Sequence, residues 1–353
     1  MATTVGGLAA PAPIDWTVTP TGPENAVLYT TEQAGGSLWS VGINLEPGKD
    51  GSLKFHPLAV RWDGKSWQQT KQPVPDGRLD DLLVKSADDV WAAGATEDGA
   101  ATQPILQHWK GSAWKVVDNP AGDDNAQYTA LATQDDGLLV GRYGDQTSVL
   151  RYAGGKWQEL PREGLQHIVY IDDLKVVGKE IWAAGIGGVA RYDGTRWTKV
   201  ELPVDLLDGR QLEVAELVVK APDDIWAVGE KPSLANWREP LALHFDGKAW
   251  TQLGTPVATG QFHELEFLDG KAIAVGGNPN TGEPLVAELA GKEFVRTTTP
   301  PGAGYLQGSA KVGQCLWTVG VAAETTPDGF EKPFISVGKH QPDAGHGLTA
   351  AGC

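Results

Sequence analysis

A single frame of residues recurs along almost the whole chain and limits what it can fold into. It runs as an apolar stretch, a turn, a short strand reading x-Trp-Ala-x-Gly, a variable loop, and a strand ending in a polar residue, an aromatic and often Asp-Gly. A Trp and a closing Pro follow. The clearest copy is DDIWAVG at 223–229 followed by LALHFDGKAWTQLGTP at 241–256. The frame Trp position falls at Trp39, Trp91, Leu138, Trp182, Trp226, Ile273 and Trp317, with spacings of 52, 47, 44, 44, 47 and 44 residues. That is the period of a four-stranded propeller blade. The second aromatic is Trp67, Trp114, Trp157, Trp197, Trp250 and Phe294, each followed by a Pro. Aromatics at repeat-equivalent positions read as packing between blades, because one repeat cannot bury its apolar face alone.

The seventh repeat keeps Trp317 but lacks the closing strand, and Ile14 to Pro20 (IDWTVTP) has the pattern of that missing strand. The expectation is therefore an all-β, seven-bladed β-propeller of four-stranded antiparallel blades, closed by its own N-terminal strand so that no open gap is left in the ring. The propeller is expected over residues 14–344, with a flexible segment at 1–13 and a tail at 345–353. A composition of 45 Gly, 23 Pro and 14 Trp suits short strands and tight turns. The Asp-Gly pairs at 63–64, 193–194 and 246–247 read as hairpin turns needing positive φ.

The formal charge of −16 argues against a grip on nucleic-acid phosphates. No apolar run reaches the length of a membrane-spanning helix. Residues 1–13, small and Pro-rich, resemble the spacer after a cleavage site, which gives the expectation of a secreted protein. Two cysteines, Cys315 and Cys353, are too few for a metal cluster and the right number for one bridge pinning the tail. A buried thiol and a terminal thiol are the alternative.

Strand order places the second-to-third strand loops on one face with the connections between blades, and binding residues concentrate on such loops. The expected loops are Asn44–His56, Thr96–Thr102, Lys231–Glu239, Asn278–Glu283 and Ala322–Lys332, against short ones in blades three and four. Trp237, outside the frame and flanked by Asn236 and Arg238, suits stacking on a sugar or anchoring a protein, or it covers its own blade. His56 completes this set of candidate ligand contacts. Near the starts of the first strands, Asp81, Asp173, Glu216 and Glu264 align, with Tyr29, Thr129 and Gly308 in the other blades. This acidic collar at the channel mouth could hold calcium, receive a partner's Lys or Arg, or simply pair with water and backbone N–H groups.

Nucleophile and phosphate-loop motifs are absent. His108 and His244 share one repeat position and read as structural. His263 beside Glu264 is the place to search for an acid/base pair, although adjacent strand residues ordinarily face opposite ways. Three functions remain open: a binding module for a surface glycan or a protein partner through one asymmetric site on the long-loop face; a lyase or hydrolase using His263, Glu264, Asp81 and Asp173; and a scaffold subunit. No cofactor is expected beyond a calcium ion at the mouth.

The combined run, Asp-x-x-Trp-Ala-x-Gly with Arg/His-aromatic-Asp-Gly-x-x-Trp at 88–94, 191–197, 224–229 and 244–250, resembles the repeats of secreted actinobacterial propeller proteins. Some propellers of this look serve as lectin-like targeting subunits of antibacterial toxin particles. The resemblance implies architecture first, since other propeller classes also use aromatic and glycine blades.

Overall fold

In the computed structural model, the structure describes residues 11–48, 52–96, 101–120, 125–204, 210–233 and 238–340. These contain 28 strands and no helix, and the strands fall into seven four-stranded antiparallel sets, two of them joined by a single bridge between Ile186 and Glu213. The inner strands of blades one to seven are Ala26–Ala34, Arg78–Ser86, Gln127–Gln134, Tyr170–Val177, Glu213–Ala221, Gln261–Leu268 and Ala303–Val312. Each touches the next around the ring. The fold is a β-propeller.

The second strand of each blade carries the frame residue and the glycine three positions after it, and it is covered on both sides. In Asp224–Pro232 every residue from Ile225 to Glu230 is buried. Small and apolar residues are needed there because neighbouring blades lie against both faces. The frame Trp packs onto the aromatic pair of the following blade. Trp39 lies 5.2 Å from Trp109 and 5.6 Å from Trp114, and Trp317 of blade seven lies 5.1 Å from Trp62 and 5.8 Å from Trp67 of blade one. These edge-on and tilted contacts are the arrangement that aromatic quadrupoles favour.

His108 and His244 repeat one arrangement. Each ring stacks on its blade's frame Trp, at 3.8 Å on Trp91 and 4.1 Å on Trp226. Each Nε2 meets the aspartate that also accepts the Trp Nε1–H, Asp89 or Asp224. Their role is to lock the blade. Gly64, Gly194 and Gly247 have φ of +94°, +99° and +85°, the left-handed region that their turns require.

Ring closure follows the expected route. Ile14–Thr19 pairs antiparallel with the last strand, Pro333–His340, from Ile14 opposite His340 to Thr19 opposite Ile335. Ile14 is 2% exposed within a cluster shared by blades six and seven. Its backbone is also clasped by Thr298, whose Oγ1 accepts from Ile14 N at 2.9 Å and donates to Ile14 O at 2.6 Å.

Two loop expectations change. The stretch Asn44–His56 is mostly ladder: Asn44 pairs with His56 and the pairing continues to Pro47 and Leu53, so blade one projects a hairpin arm. In blade six Asn278 pairs directly with Glu283, leaving a tight turn.

The frame glycine has a specific reason. In every blade the inner strand carries a register shift near its start, after Leu28, Leu79, Tyr128, Ile171, Phe262 and Leu306 and after Val214 in blade five. These are β-bulges, which push one backbone carbonyl towards the second strand. A Cβ on Gly94 would sit 2.1 Å from Arg78 O, on Gly185 1.9 Å from Tyr170 O, and on Gly229 2.1 Å from Glu213 O. In blades one, two, four, five, six and seven the frame glycine makes room for the bulge, whereas in blade three the bulge lies one pair nearer the strand's start and Gly141 pairs with Ala130 after it.

Candidate functional site

In blades two, four, five and six the bulge adds a residue that lines the channel together with the residue after it. Asp80 and Asp81, Asp172 and Asp173, Ala215 and Glu216, and His263 and Glu264 all line one central cavity of about 830 Å³, to which all seven blades contribute. Adjacent residues His263 and Glu264 therefore share a wall, contrary to simple strand alternation.

The register also corrects the collar's alignment. The residues after the bulge are Thr30, Asp81, Ala130, Asp173, Glu216, Glu264 and Gly308. Tyr29 and Thr129 are bulge residues, one step away from the collar.

The collar acids tie each blade to the next. Asp81 Oδ2 accepts from Leu131 N at 2.7 Å, Asp173 Oδ2 from Leu217 N at 2.8 Å, and Glu216 Oε2 from Leu265 N at 2.6 Å. Glu264 accepts from Ser309 N and, at 3.2 Å, from Thr30 Oγ1 of blade one, reaching past Gly308. Two deeper acids that sequence alignment missed do the same work: Glu32 accepts from Val84 N at 2.7 Å and Glu266 from Lys311 N at 3.2 Å. The collar's carboxylates pair with backbone N–H groups. Among the described residues no three His, Cys, Asp or Glu side chains come together as a metal site, so calcium has no evident ligand set here.

Crowding carboxylates in a channel disfavours their charged forms. Burial, with help from Glu32 and Asp173, pushes Asp81 up to about 8. Burial likewise raises Glu32 and Glu266 to about 7 each, and holds Glu216 and Glu264 well above the usual range. Lys175 sits among them, donating to Asp173 Oδ1 at 2.9 Å. Burial opposes its charge, but Asp173, Glu216 and Glu32 outweigh that and raise its pKa.

The bulge residues stand nearer the mouth. His263 is held neutral by burial, with its pKa down to about 4, and its Nε2 meets the Tyr305 hydroxyl and, at 2.8 Å, Gln261 Nε2. It shares no hydrogen bond with Glu264. Asp80 Oδ1 accepts from Arg78 Nε at 2.7 Å while Arg78 Nη2 reaches Gln127 of blade three. Asp172 has no hydrogen bond or ion pair among the described residues, and its Oδ2 is closed to solvent. Burial, Glu213 and Asp173 raise its pKa well above the usual range.

Arg238, a predicted ligand contact, instead bridges two carboxylates, Glu213 at 3.3 Å and Glu230. These three line a side cavity of about 320 Å³ between blades four and five. His56 lies on blade one's arm, its Nδ1 at 2.6 Å from Pro75 O and its Nε2 at 3.0 Å from Glu46. Both partners are acceptors, so the ring clamps the arm to the connection between blades one and two. Trp237 and Asn236 lie outside the described residues. Cys315 is buried at the start of its strand, and Cys353 lies outside the described residues.

No protein-family model matches the chain, and no curated protein sequence matches it. Solved structures do. YCF48 bound to D1 peptide superposes with a TM-score of 0.61 at 12% identity, covering 95% of this chain and 100% of that one. YCF48 from Cyanidioschyzon merolae gives 0.60 at 12% identity over 91% and 98%. The β-propeller domain of the Trilobed protease from Pyrococcus furiosus, which has an open velcro topology, gives 0.53 at 11% over 90% and 94%. Likeness at this identity establishes the fold alone.

Proposed function

We propose that this chain is a secreted, non-catalytic binding module that engages a protein partner at the channel mouth, on the face shared by blade one's arm and the connections between blades. One observation carries the reading. Asp81, Asp173, Glu216 and Glu264 are spent on joining blades, whereas Asp172, the bulge residue of blade four, lines the same cavity with no hydrogen bond or ion pair among the described residues. Polar groups on a rigid ring that the fold does not consume are the ones free for recognition. Support also comes from the fold's use elsewhere, since YCF48 has been seen with a peptide.

The enzymatic alternative loses support from the same geometry. General acid/base catalysis needs a couple within hydrogen-bond reach of a reacting atom. His263 is taken up by Tyr305 and Gln261, and Glu264, Asp81 and Asp173 by neighbouring backbone.

The test is to screen the immobilised full chain against a random peptide display and a panel of glycans and bacterial cell-wall fractions, beside an Asp80→Asn/Asp172→Asn double variant. Peptides enriched on the parent and lost on the folded double variant are expected. Binding confined to glycans, at equal strength on both proteins, would sink the protein-partner reading.

A further inference from the structure

The charges at the mouth do not balance evenly around the ring. On the blade two side Arg78 answers Asp80, and deeper in the channel Lys175 answers Asp173. Between blades four and five, Arg238 is shared by Glu213 and Glu230, Lys231 is held by Glu239 at 3.4 Å, and Arg210 donates to Ser233 O. Asp172 lines the central cavity with Glu213 and has no cation of its own among the described residues.

A second observation is independent of that charge count. Asp172 Oδ2 is closed to solvent and has no hydrogen-bond partner. A buried carboxylate oxygen without a donor is rare in folded proteins, because desolvation is then uncompensated. A cation drawn to Asp172 favours its ionised form, whose oxygens only accept, so the group that completes it must donate. Anions are repelled and a metal lacks a ligand set. A guanidinium offers five N–H donors, no acceptor and a planar fork matched to carboxylates.

We infer that the channel mouth on the side of blades four and five is a receptor for a cationic side chain, an arginine or lysine presented by the partner protein, with Asp172 as its main anchor and Glu213, on the wall of the same cavity, as the second. This rests on the binding reading above and specifies its partner as one that inserts a basic residue into an acidic ring.

The experiment is calorimetric titration of the full chain with N-acetyl-L-arginine amide, with the uncharged N-acetyl-L-citrulline amide as control. A ligand of about 15 heavy atoms is expected to bind in roughly the millimolar range. Citrulline amide and the Asp172→Asn variant should each lose about tenfold or more, the yield of one charge-assisted hydrogen-bonded contact. Glu213→Gln gives a second variant with a smaller loss. Glu201→Gln, on an exposed outer pair, should change nothing. Asp172→Asn removes an unpartnered buried carboxyl, so it should melt no lower than the parent at neutral pH, which separates loss of binding from loss of fold. Equal binding of the citrulline probe, full affinity in Asp172→Asn, or no heat from the arginine probe overturns the inference. In the peptide display, enriched sequences without Arg or Lys leave the binding reading standing and remove the cationic anchor. Failure of all peptides to enrich removes both.

Discussion

Replacing Gly94 by alanine places a Cβ 2.1 Å from Arg78 O and 2.8 Å from the Leu79 Cα, whereas real Cβ contacts essentially never fall under 3.0 Å. Both obstacles are backbone, so no side chain can rotate away, and the bulged strand must move by about 1 Å in a close-packed ring. Overpacking of this kind costs about 3 kcal/mol. The shift also strains the bond between Asp81 Oδ2 and Leu131 N, 2.7 Å long, adding about 1 kcal/mol. Gly141 is the internal control, because it holds the same repeat position in sequence but pairs with Ala130 after the bulge, so its nearest obstacles are side chains: Thr129 Oγ1 at 3.1 Å, and Ala130 Cβ and Ile171 Cγ2 at 3.2 Å. These can yield by tenths of an ångström, and alanine recovers some strand stability, so Gly141→Ala should cost about 1 kcal/mol or less. Urea unfolding of the full chain, followed by Trp fluorescence, measures both. Equal costs for the two variants, within about 0.5 kcal/mol, would refute the claim that the glycine exists to admit the bulge.

Three further outcomes are expected. Asp81, Glu32 and Glu266 have folded pKa values raised to about 8, 7 and 7, so the folded state holds their protons more tightly than the unfolded chain does, and the stability this gives is lost as pH rises through those values. The melting temperature should fall between pH 6.5 and pH 9, a window above that in which His263 titrates; a flat or rising profile contradicts the burial of these acids. Lys175→Met leaves Asp173, Glu216 and Glu32 without their shared cation and should destabilise by about 3 kcal/mol, more at pH 8 than at pH 6, as denaturant melts at both pH values would show. Ile14→Ala, at the buried head of the closing strand, should cost about 2 to 3 kcal/mol; a neutral result in thermal melts would mean that this strand does not hold the ring.

The blades were legible because their signals are local and repeated. Trp and Gly fall at fixed spacing, and the IDWTVTP segment carries the fourth-strand pattern at the wrong end of the chain. The site was legible only in part. Asp81, Asp173, Glu216 and Glu264 were identified as one ring, but Tyr29 and Thr129 were matched to it one residue early, because a bulge adds a residue that spacing counts and sheet register does not. The same bulge brought His263 and Glu264 onto one wall. The frame glycine, standing inside a strand, was the signal that could have revealed this. Glu32 and Glu266 were missed because no other blade has an acid opposite the frame position: Leu83, Thr133, Lys175, Val218 and Ala310 occupy it. The ladder from Asn44 to His56 carries Pro47 and Gly48, which read as loop residues, while its pairing is set by the partner strand.

The bulge also separates two kinds of freedom in this ring. At the position after it, a change of residue alters how one blade grips the next, so substitution there is felt around the whole circle. At the bulge itself the chain already tolerates Tyr29, Asp80, Thr129, Asp172, Ala215, His263 and Gln307, six residue types in seven blades. A ring built in this way can exchange what its mouth recognises one blade at a time, much as a lock is rekeyed by changing pins while its housing stays as it was.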